Sequence, residues 1–489
     1  MAITKHGAAK ASAWSAVDVL LRQGVQFIVT VFLARLLAPA DFGIIALLTF
    51  FTNLSVAFVQ GGLSVALVQR QRTSRAEEST IFWWNLIASL ILGVVLAAAG
   101  PAIAAFFGQP VLRPLMIMVA FQSVFSALGA VQGALLTRQM RFDLIAKTSL
   151  VAAVASGAIG VGAALMGAGV WALALQASTF ALLGSITLWF VIDWRPQMHF
   201  QFATIRHLSG FGAWVSIGSV MDVLYTNGVA LLIGKLHGVR DLGFYDRAAA
   251  TQALPSASIS AIVGRIALPL LASKQDDPEA LRGSLRLAIG SIMLLNLPIM
   301  AGLVLLSDLI VIELLGERWL SAAPILAILA VGGMLYPLHL INVQFILARG
   351  QSRTFMSNEL AKKGIGITCV IVGSFFGIKG LAWSQVAYNM LGLFVNARLA
   401  DRDLGYGALR QLRDIGGIVL ATLAMAAAVY VLRGTLTTGP LVKLVICTVV
   451  GAALYASVGW LAGFRNFREP AAMLAGELFG GRFVRTGSN

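Results

Sequence analysis

The sequence predicts an all-α, polytopic membrane protein built from two copies of a six-helix unit. Three observations carry that expectation. Charge is scarce, apolar stretches of spanning length recur along the whole chain, and motifs near the start return 200 residues later. Of 489 residues, 58% are hydrophobic and 12% are charged, whereas a soluble domain averages about 25% charged. Lipid is the solvent that tolerates such a deficit. Backbone groups in lipid must be satisfied internally, so the spans are helices or a closed barrel. Barrel strands alternate polar and apolar residues. Stretches such as Leu86 to Gly100 are apolar all round and read as helices.

Apolar stretches of roughly 20 residues, the length that crosses a bilayer core, place about 14 spans. In the first half they fall at 15–38, 43–69, 81–106, 114–137, 145–166 and 170–192. The second half gives 211–235, 244–272, 284–307, 321–347, 360–377 and 380–399, and a final pair lies at 416–433 and 441–463. The N-terminal run continues past Arg22 and Gln26 with no small-residue cleavage site, so it reads as the first span rather than a removed signal. With the N-terminus in the cytoplasm, cytoplasmic segments hold about 25 Lys and Arg against about nine on the far side, the bias that sets membrane topology. The clusters are Arg70/Arg72/Arg75, Arg138/Arg141/Lys147, Arg349/Arg353/Lys362/Lys363 and Arg398/Arg402/Arg410/Arg413. Both termini are therefore expected on the cytoplasmic side. The net charge of +15 reflects this bias rather than a nucleic-acid partner. Asp308 and Glu313 are expected to be solvated at the far end of the ninth span. Cys369 and Cys447 fall in apolar runs and imply no disulfide framework. No loop is long enough to fold as a catalytic domain.

The repeat sets the architecture. At an offset of 200, Trp14 matches Trp214, Arg35-Leu36 matches Lys235-Leu236, and Asp41-Phe42-Gly43 matches Asp241-Leu242-Gly243. Later the offset slips, so that Leu136-Thr137-Arg138 corresponds to Leu347-Ala348-Arg349 and the Gly167/Gly169 turn to Gly377/Gly380. Six spans separate the copies, an even number, so both enter the membrane from the same side. Parallel repeats of this kind build secondary transporters, with the substrate path at the repeat interface. The expected organisation is an N-lobe at 1–205, a C-lobe at 206–405, and a C-terminal helix pair with a tail at 406–489.

Three motifs carry a family resemblance: Phe32–Gly43 (FLARLLAPADFG), Ala267–Asp277 (ALPLLASKQDD) and Gly316–Pro324 (GERWLSAAP). They resemble those of bacterial polysaccharide flippases of the Wzx type, which share a superfamily with multidrug/cation antiporters and lipid II flippases. The resemblance spans nearly the whole chain. It implies two lobes around a central cavity with rocker-type alternating access. It also implies a substrate sugar unit on polyprenyl pyrophosphate, carried from the cytoplasmic to the periplasmic leaflet of the bacterial inner membrane. Exopolysaccharide, capsule or O-antigen assembly would follow. A polysaccharide polymerase and a chain-length regulator are the implied partners, and the chain is expected to act as a monomer.

Charge at mid-bilayer costs roughly 2.5–3.5 kcal/mol or more, so such residues usually face a cavity or a partner. Asp18, Arg22 and Gln26 stand at i, i+4 and i+8 on one helical stripe, either as a self-neutralising Asp18–Arg22 pair or as a cavity wall. Ser219, Asp222, Tyr225 and Thr226 share one side of the seventh span. By the repeat, Asp222 is the mate of Arg22, each eight residues or about 12 Å beyond its matching Trp. The two are expected to pair across the cavity in one state and part in the other. Arg247 and Arg265 lie 18 residues apart, five turns, on one face of the eighth span. Arg22, Arg265 and Arg247 are the candidate pyrophosphate ligands, since guanidinium binds phosphate in a bidentate manner that lysine does not copy. Arg247 also fits an interfacial anchor, and Arg265 a helix-end pair. Asn53 and Gln60, with Ser64 beyond, fit either sugar contacts or interhelical hydrogen bonds. Gln122, Gln132, Asn342 and Gln344 carry the same ambiguity.

No enzyme constellation is present. H-E-x-x-H, Cys/His metal spacing and a Gly-rich phosphate loop are missing, and His6, His199, His207, His237 and His339 are scattered. No cofactor is expected. Two other readings remain: a cation-coupled multidrug exporter of the same superfamily, and a membrane polymerase or ligase of sugar lipids. Cavity arginines speak against the first and short loops against the second. Asp18 and Asp222 are candidates for a coupling ion.

Overall fold

The computed structural model describes residues 24–60, 62–70, 73–274, 277–461 and 467, without the side chains of 60, 69, 207–209, 211–213 and 257–270. No strand occurs among the described residues. The helices of the first copy are α1 (Gly24–Leu36), α2 (Pro39–Gln60), α3 (Leu63–Gln69), α4 (Arg75–Phe107), α5 (Leu112–Arg138), α6 (Phe142–Leu165) and α7 (Val170–Val191). Then follow α8 (Phe202–Leu236), α9 (Val239–Ala272), α10 (Pro278–Leu305), α11 (Ser307–Leu315), a 3₁₀ turn (Glu317–Ala322), α12 (Ala323–Ala348), α13 (Ser352–Ser374) and α14 (Gly377–Leu404). A connecting helix α15 (Ala408–Asp414) leads to the terminal pair α16 (Gly416–Thr435) and α17 (Pro440–Leu461).

Among the described residues, ten helices are long and apolar enough to cross a membrane. α9, α13 and α14 are also of spanning length; α13 carries Arg353, Glu359, Lys362 and Lys363, while the uncharged part of α14 is interrupted by the polar Ser384, Gln385, Asn389 and Asn396. The second expected span is broken. α2 ends at Gln60 and α3 begins at Leu63, after the turn at Gly62, and glycine carries the highest entropic cost of staying helical. The chain divides into two compact units, Met1–Asp246 and Arg247–Asn489. The duplication shows in how helices pair within them. α4 packs on α5, α6 on α7 and α5 on α7; in the second unit α10 packs on α12, α13 on α14 and α12 on α14.

The motif Asp41-Phe42-Gly43 has a structural reason. Pro39 opens α2 and Asp41 Oδ2 accepts a hydrogen bond from the Ala38 amide at 3.0 Å, satisfying a donor at a helix start. Gly43 then meets the first turn of α9 backbone to backbone. A Cβ there would collide with the Val239 carbonyl and lie 3.0 Å from the Gly243 nitrogen. A Cβ on Gly243 would collide in turn with the Pro39 carbonyl. The two repeat-related glycines therefore meet each other, and only hydrogen side chains allow it. α8 is held beside them: Lys235 Nζ donates to the Phe106 carbonyl and sits 4.3 Å from the ring centroid of Phe106.

The other motifs serve turns. Asp277 caps α10, accepting from the amides of Glu279 and Ala280 at 3.0 and 3.1 Å. Gly316 has φ +100°, a conformation that favours glycine, and Trp319 beyond it is fully buried. Asp308, expected in solvent, is instead half-buried at the start of α11 and pairs with Arg433 of α16 at 2.5 Å. The terminal pair packs on α10 and α11, which brings that arginine within reach.

Conserving charge within each unit follows one scheme. Arg138, at the end of α5, pairs with buried Glu78 at 3.4 Å. Its repeat mate Arg349, at the end of α12, pairs with Asp403 at 3.6 Å. Glu78 also accepts from Thr73 Oγ1 at 2.6 Å and from the Trp194 indole at 2.7 Å. Residues 192–201, which join the two copies, are strapped to α4 by this indole and by three more bonds. The Gln197 amide donates to Ser79 Oγ at 2.9 Å, the Gln201 amide to Thr80 Oγ1 at 3.2 Å, and Trp83 Nε1 to the Gln197 carbonyl at 2.8 Å.

Three outcomes are expected. Gly43→Val lowers the melting temperature of the purified protein by the equivalent of about 1–3 kcal/mol of overpacking, whereas Gly228→Ala, with open space around it, leaves it unchanged. The double variant Gly43→Val/Gly243→Val costs little more than either single one, because one contact is lost once. Glu78→Ala strands Arg138 and costs about 3–5 kcal/mol, read as loss of folded protein by size exclusion; Glu78→Gln, which still accepts from Trp194, loses less.

Candidate functional site

The sequence-derived candidates distribute unevenly. Asp18 and Arg22 lie outside the described residues, so their stripe and its partner are not placed. Gln60 and Arg265 belong to α2 and α9, with side chains outside the described set. Gln26 is exposed on α1 and Asn53 on α2. On α8, Asp222 and Thr226 are exposed and Tyr225 is half-buried. The structure does bring these three to one side of a helix. Thr226 Oγ1 donates to the Asp222 carbonyl at 2.8 Å and accepts from Asn227 Nδ2 at 3.1 Å, so the hydroxyl donor is spent within the helix. Arg247 is half-buried at the start of the second unit, and its carbonyl accepts from Thr251 Oγ1 at 2.8 Å.

Several polar residues with two readings resolve toward helix packing. Asn85 Nδ2 donates to Ser64 Oγ at 3.2 Å, and Thr52 Oγ1 donates to Gln122 Oε1 at 3.5 Å. Asn342 and Gln411 exchange amide hydrogen bonds at 2.8 and 3.0 Å, both fully buried. That pair pins α15 to α12. Beside it Tyr406 donates to Asp414 at 3.0 Å, and Asp414 pairs with Arg286 at 3.0 Å. Burial, and then the Asp414 carboxylate, push the Tyr406 phenol above its ordinary value, so the phenol keeps the proton it donates to Asp414.

A cluster in the second unit was not expected. Lys362, placed by sequence in a cytoplasmic basic cluster, is instead 2% exposed. α13 begins eight residues before the expected span, which moves Lys362 ten residues, about 15 Å, into the helix. Its Nζ donates to Glu359 Oε1 at 2.5 Å and lies 3.3 Å from His339 Nε2 on α12. The other ring nitrogen, Nδ1, lies 3.3 Å from Asn396 Nδ2 on α14, and Asn396 is fully buried. Tyr336 stacks near the ring at 6.2 Å and Tyr388 flanks it at 6.4 Å. Gly392 leaves the room: a Cβ there would lie 3.1 Å from His339 Nδ1. The signal available in the sequence was a histidine and a lysine inside expected spans, with a glutamate one turn before the lysine. No group of three or more metal-binding side chains occurs among the described residues.

Comparisons with known proteins bear on this arrangement. The family described as "Polysaccharide biosynthesis protein" matches residues 32–324. A teichuronic acid biosynthesis protein of Bacillus subtilis is 29% identical over 60% of this chain and 61% of its own length. The chain thus spans under two thirds of that relative. A succinoglycan biosynthesis transport protein of Rhizobium meliloti is 24% identical over 90% of each chain. A lipopolysaccharide biosynthesis protein of Escherichia coli is 24% identical over 78% of this chain and 79% of its own. In fold, the chain is similar to a lipid II flippase in an inward closed conformation, with a TM-score of 0.73, 15% identity, and coverage of 95% and 99%. An inward-facing multidrug transporter gives a TM-score of 0.57 at 15% identity, covering 80% of this chain and 98% of its own. With more than half of its length matched by the family, this chain belongs to the polysaccharide biosynthesis proteins.

Proposed function

We propose that the chain is a flippase that moves a polyprenyl-pyrophosphate-linked oligosaccharide from the cytoplasmic to the periplasmic leaflet of the bacterial inner membrane. It is a transporter and not an enzyme. The observation that carries this reading is the combination of family membership with the fold of a lipid II flippase over 95% of the chain. The relatives named for teichuronic acid, lipopolysaccharide and succinoglycan support a substrate that feeds polysaccharide assembly. A polymerase and a chain-length regulator are then the neighbouring machinery.

The proposed cycle is alternating access. With both termini cytoplasmic, Gly43 and Gly243 lie at the periplasmic ends of their helices, and their contact is one that an outward-open state must part. Arg22, Arg265 and Arg247 are the proposed pyrophosphate ligands. Asp222 is the proposed partner of Arg22, with Asp18, Gln26, Asn53, Gln60, Tyr225 and Thr226 as polar wall. The lobes in this reading are 1–205 and 206–405, with 406–489 as an accessory pair.

The test is reconstitution into proteoliposomes with a fluorescent polyprenyl-pyrophosphate disaccharide, following its protection from an external quencher. Movement between leaflets in wild type is expected; a protein that instead moves only cationic dyes is a drug exporter, and the reading fails. Arg22→Lys and Arg265→Lys are each expected to slow movement by roughly tenfold or more, the equivalent of one charge-assisted hydrogen bond. The swap Arg22→Asp/Asp222→Arg is expected to recover part of the rate lost by either single change, and purely additive loss would remove the pairing.

A further inference from the structure

Two helices of the second unit carry a proline well inside a span, Pro298 in α10 and Pro337 in α12. Proline has no N–H, so each leaves the carbonyl four residues earlier without its helical donor. Those carbonyls belong to Leu294 and Gly333. Each is taken by a side chain of another helix. Tyr455 of α17 donates its hydroxyl to the Leu294 carbonyl at 2.7 Å. Asn296 of α10 donates Nδ2 to the Gly333 carbonyl at 3.0 Å and to the Met334 carbonyl at 3.1 Å. From α14, Asn389 Nδ2 donates to the Gly332 carbonyl at 3.3 Å. Asn296 lies between Leu294 and Pro298, inside the turn that Tyr455 completes. The bond on α10 therefore aims the side chain that makes the bond on α12.

We propose that Tyr455 and Asn296 are positioning residues of a relay, in which the terminal pair sets the bend of α10 and, through it, the bend of α12 that transport uses. This rests on the transporter reading above. A helix that lacks one bond of its ladder bends at that place, and neighbouring side chains re-satisfy the freed carbonyl. A bond of that kind is released and remade without unwinding the helix, which a backbone bond is not. Gly332 and Gly333 make α12 slender at the bend. A Cβ on Gly333 would collide with Gln252 Nε2 of α9 and lie 2.9 Å from Met300 Sδ. Met300 is unbranched and repacks readily when the surface against it moves.

Two observations favour a role beyond filling vacated carbonyls. Asn296 is fully buried, and its Oδ1 has no hydrogen-bond partner among the described residues. An orphaned buried acceptor is a cost that an apolar residue of the same size would avoid, so the donor is what the position uses. The first copy also makes the same contact without it. Counted from the helix caps Ser74 and Asp277, Asn296 corresponds to Gly93, where a Cβ would lie 3.2 Å from the Ala120 Cβ of α5. The offset of 211 that relates Leu136 to Leu347 puts Phe121, Gln122 and Ser126 opposite Gly332, Gly333 and Pro337, so no proline interrupts α5 there. The bend of α12 belongs to one copy, and the first bond of the relay comes from α17, outside the duplication.

The first test needs no substrate. Purified protein in nanodiscs is followed by hydrogen–deuterium exchange. Tyr455 hydrogen-bonds to α10 and not to α12, yet Tyr455→Phe is expected to speed exchange over residues 334–341 of α12 several-fold. Asn296→Leu is expected to do the same. Unchanged exchange in α12 of Tyr455→Phe, with or without a change in α10 and α17, overturns the relay. Pro337→Ala returns a backbone donor to the Gly333 carbonyl. Asn296→Leu is therefore expected to lower the melting temperature by about 1–3 °C in the wild-type background and by clearly less in Pro337→Ala; an equal fall in both removes the stand-in role of Asn296 and the proposal with it. In proteoliposomes carrying the fluorescent polyprenyl-pyrophosphate disaccharide, each single variant is expected to slow movement several-fold, and Tyr455→Phe/Asn296→Leu no further than the slower of the two, because both act along one route. Losses that multiply, or wild-type rates in both single variants, overturn the proposal while leaving the flippase reading intact. Absence of any lipid movement in wild type defeats the flippase reading, and exchange in α12 then decides the relay alone.

Discussion

Everything in the first unit is arranged around a place where two helices touch without side chains. Gly43 and Gly243 come from the same position of the two copies, and the space that a Cβ on either would need is taken by a carbonyl of the other helix, that of Val239 for Gly43 and that of Pro39 for Gly243. Close approach of backbones rewards dispersion over many atoms and tolerates no gain in volume. The residues around the glycines follow from this. Pro39 and Asp41 finish the turn before α2, Leu242 and Leu47 close over Gly234, and Lys235 fastens α8 to the end of α4. The motif is repeated because the contact is made by the motif with its own copy.

The rest of the polar chemistry is a matter of keeping charge satisfied where water is scarce. Each copy ends a long helix on an arginine, and each arginine finds a carboxylate from a different helix of its own unit. Burying one member alone would be costly, so the partners are fixed together with the helix ends. Asp308 and Arg433 repeat the device between α11 and α16. The Lys362 cluster is the exception, since its pair lies two to three turns inside a helix rather than at its end.

Much of the architecture was legible in the sequence. Spanning helices announce themselves by hydropathy, and α4 through α7, α10, α12, α16 and α17 lie within a few residues of the expected limits. The repeat was legible because Asp-x-Gly is demanding backbone chemistry. What failed were properties that depend on neighbours distant in the chain. The second span divides into α2 and α3 at the Gly62 turn, where the entropy of glycine outweighs a continuous apolar pattern. Asp308 was assigned to water since nothing local shows that α16 returns to it. Lys362 reads as one of a cytoplasmic basic cluster because nothing local shows that α13 starts as early as Ser352 and carries the lysine inside. For the candidate site, Asp222, Tyr225 and Thr226 do share one side of α8. The pairing of Ser64 with Asn85 and of Asn342 with Gln411 could not be read from spacing, which shows a helical face but not what lies opposite it.

The short helix α15 has a use as well as a place. Through Gln411 to Asn342, and through Asp414 to Arg286 and Tyr406, it rivets the terminal pair to α12 and α10, and the buried side chains of α16 join the second unit's core. α16 and α17 therefore form a handle on that unit that is separate from the duplicated helices. A fluorophore or spin label placed on their outer face would report the orientation of the second unit without touching the repeat itself.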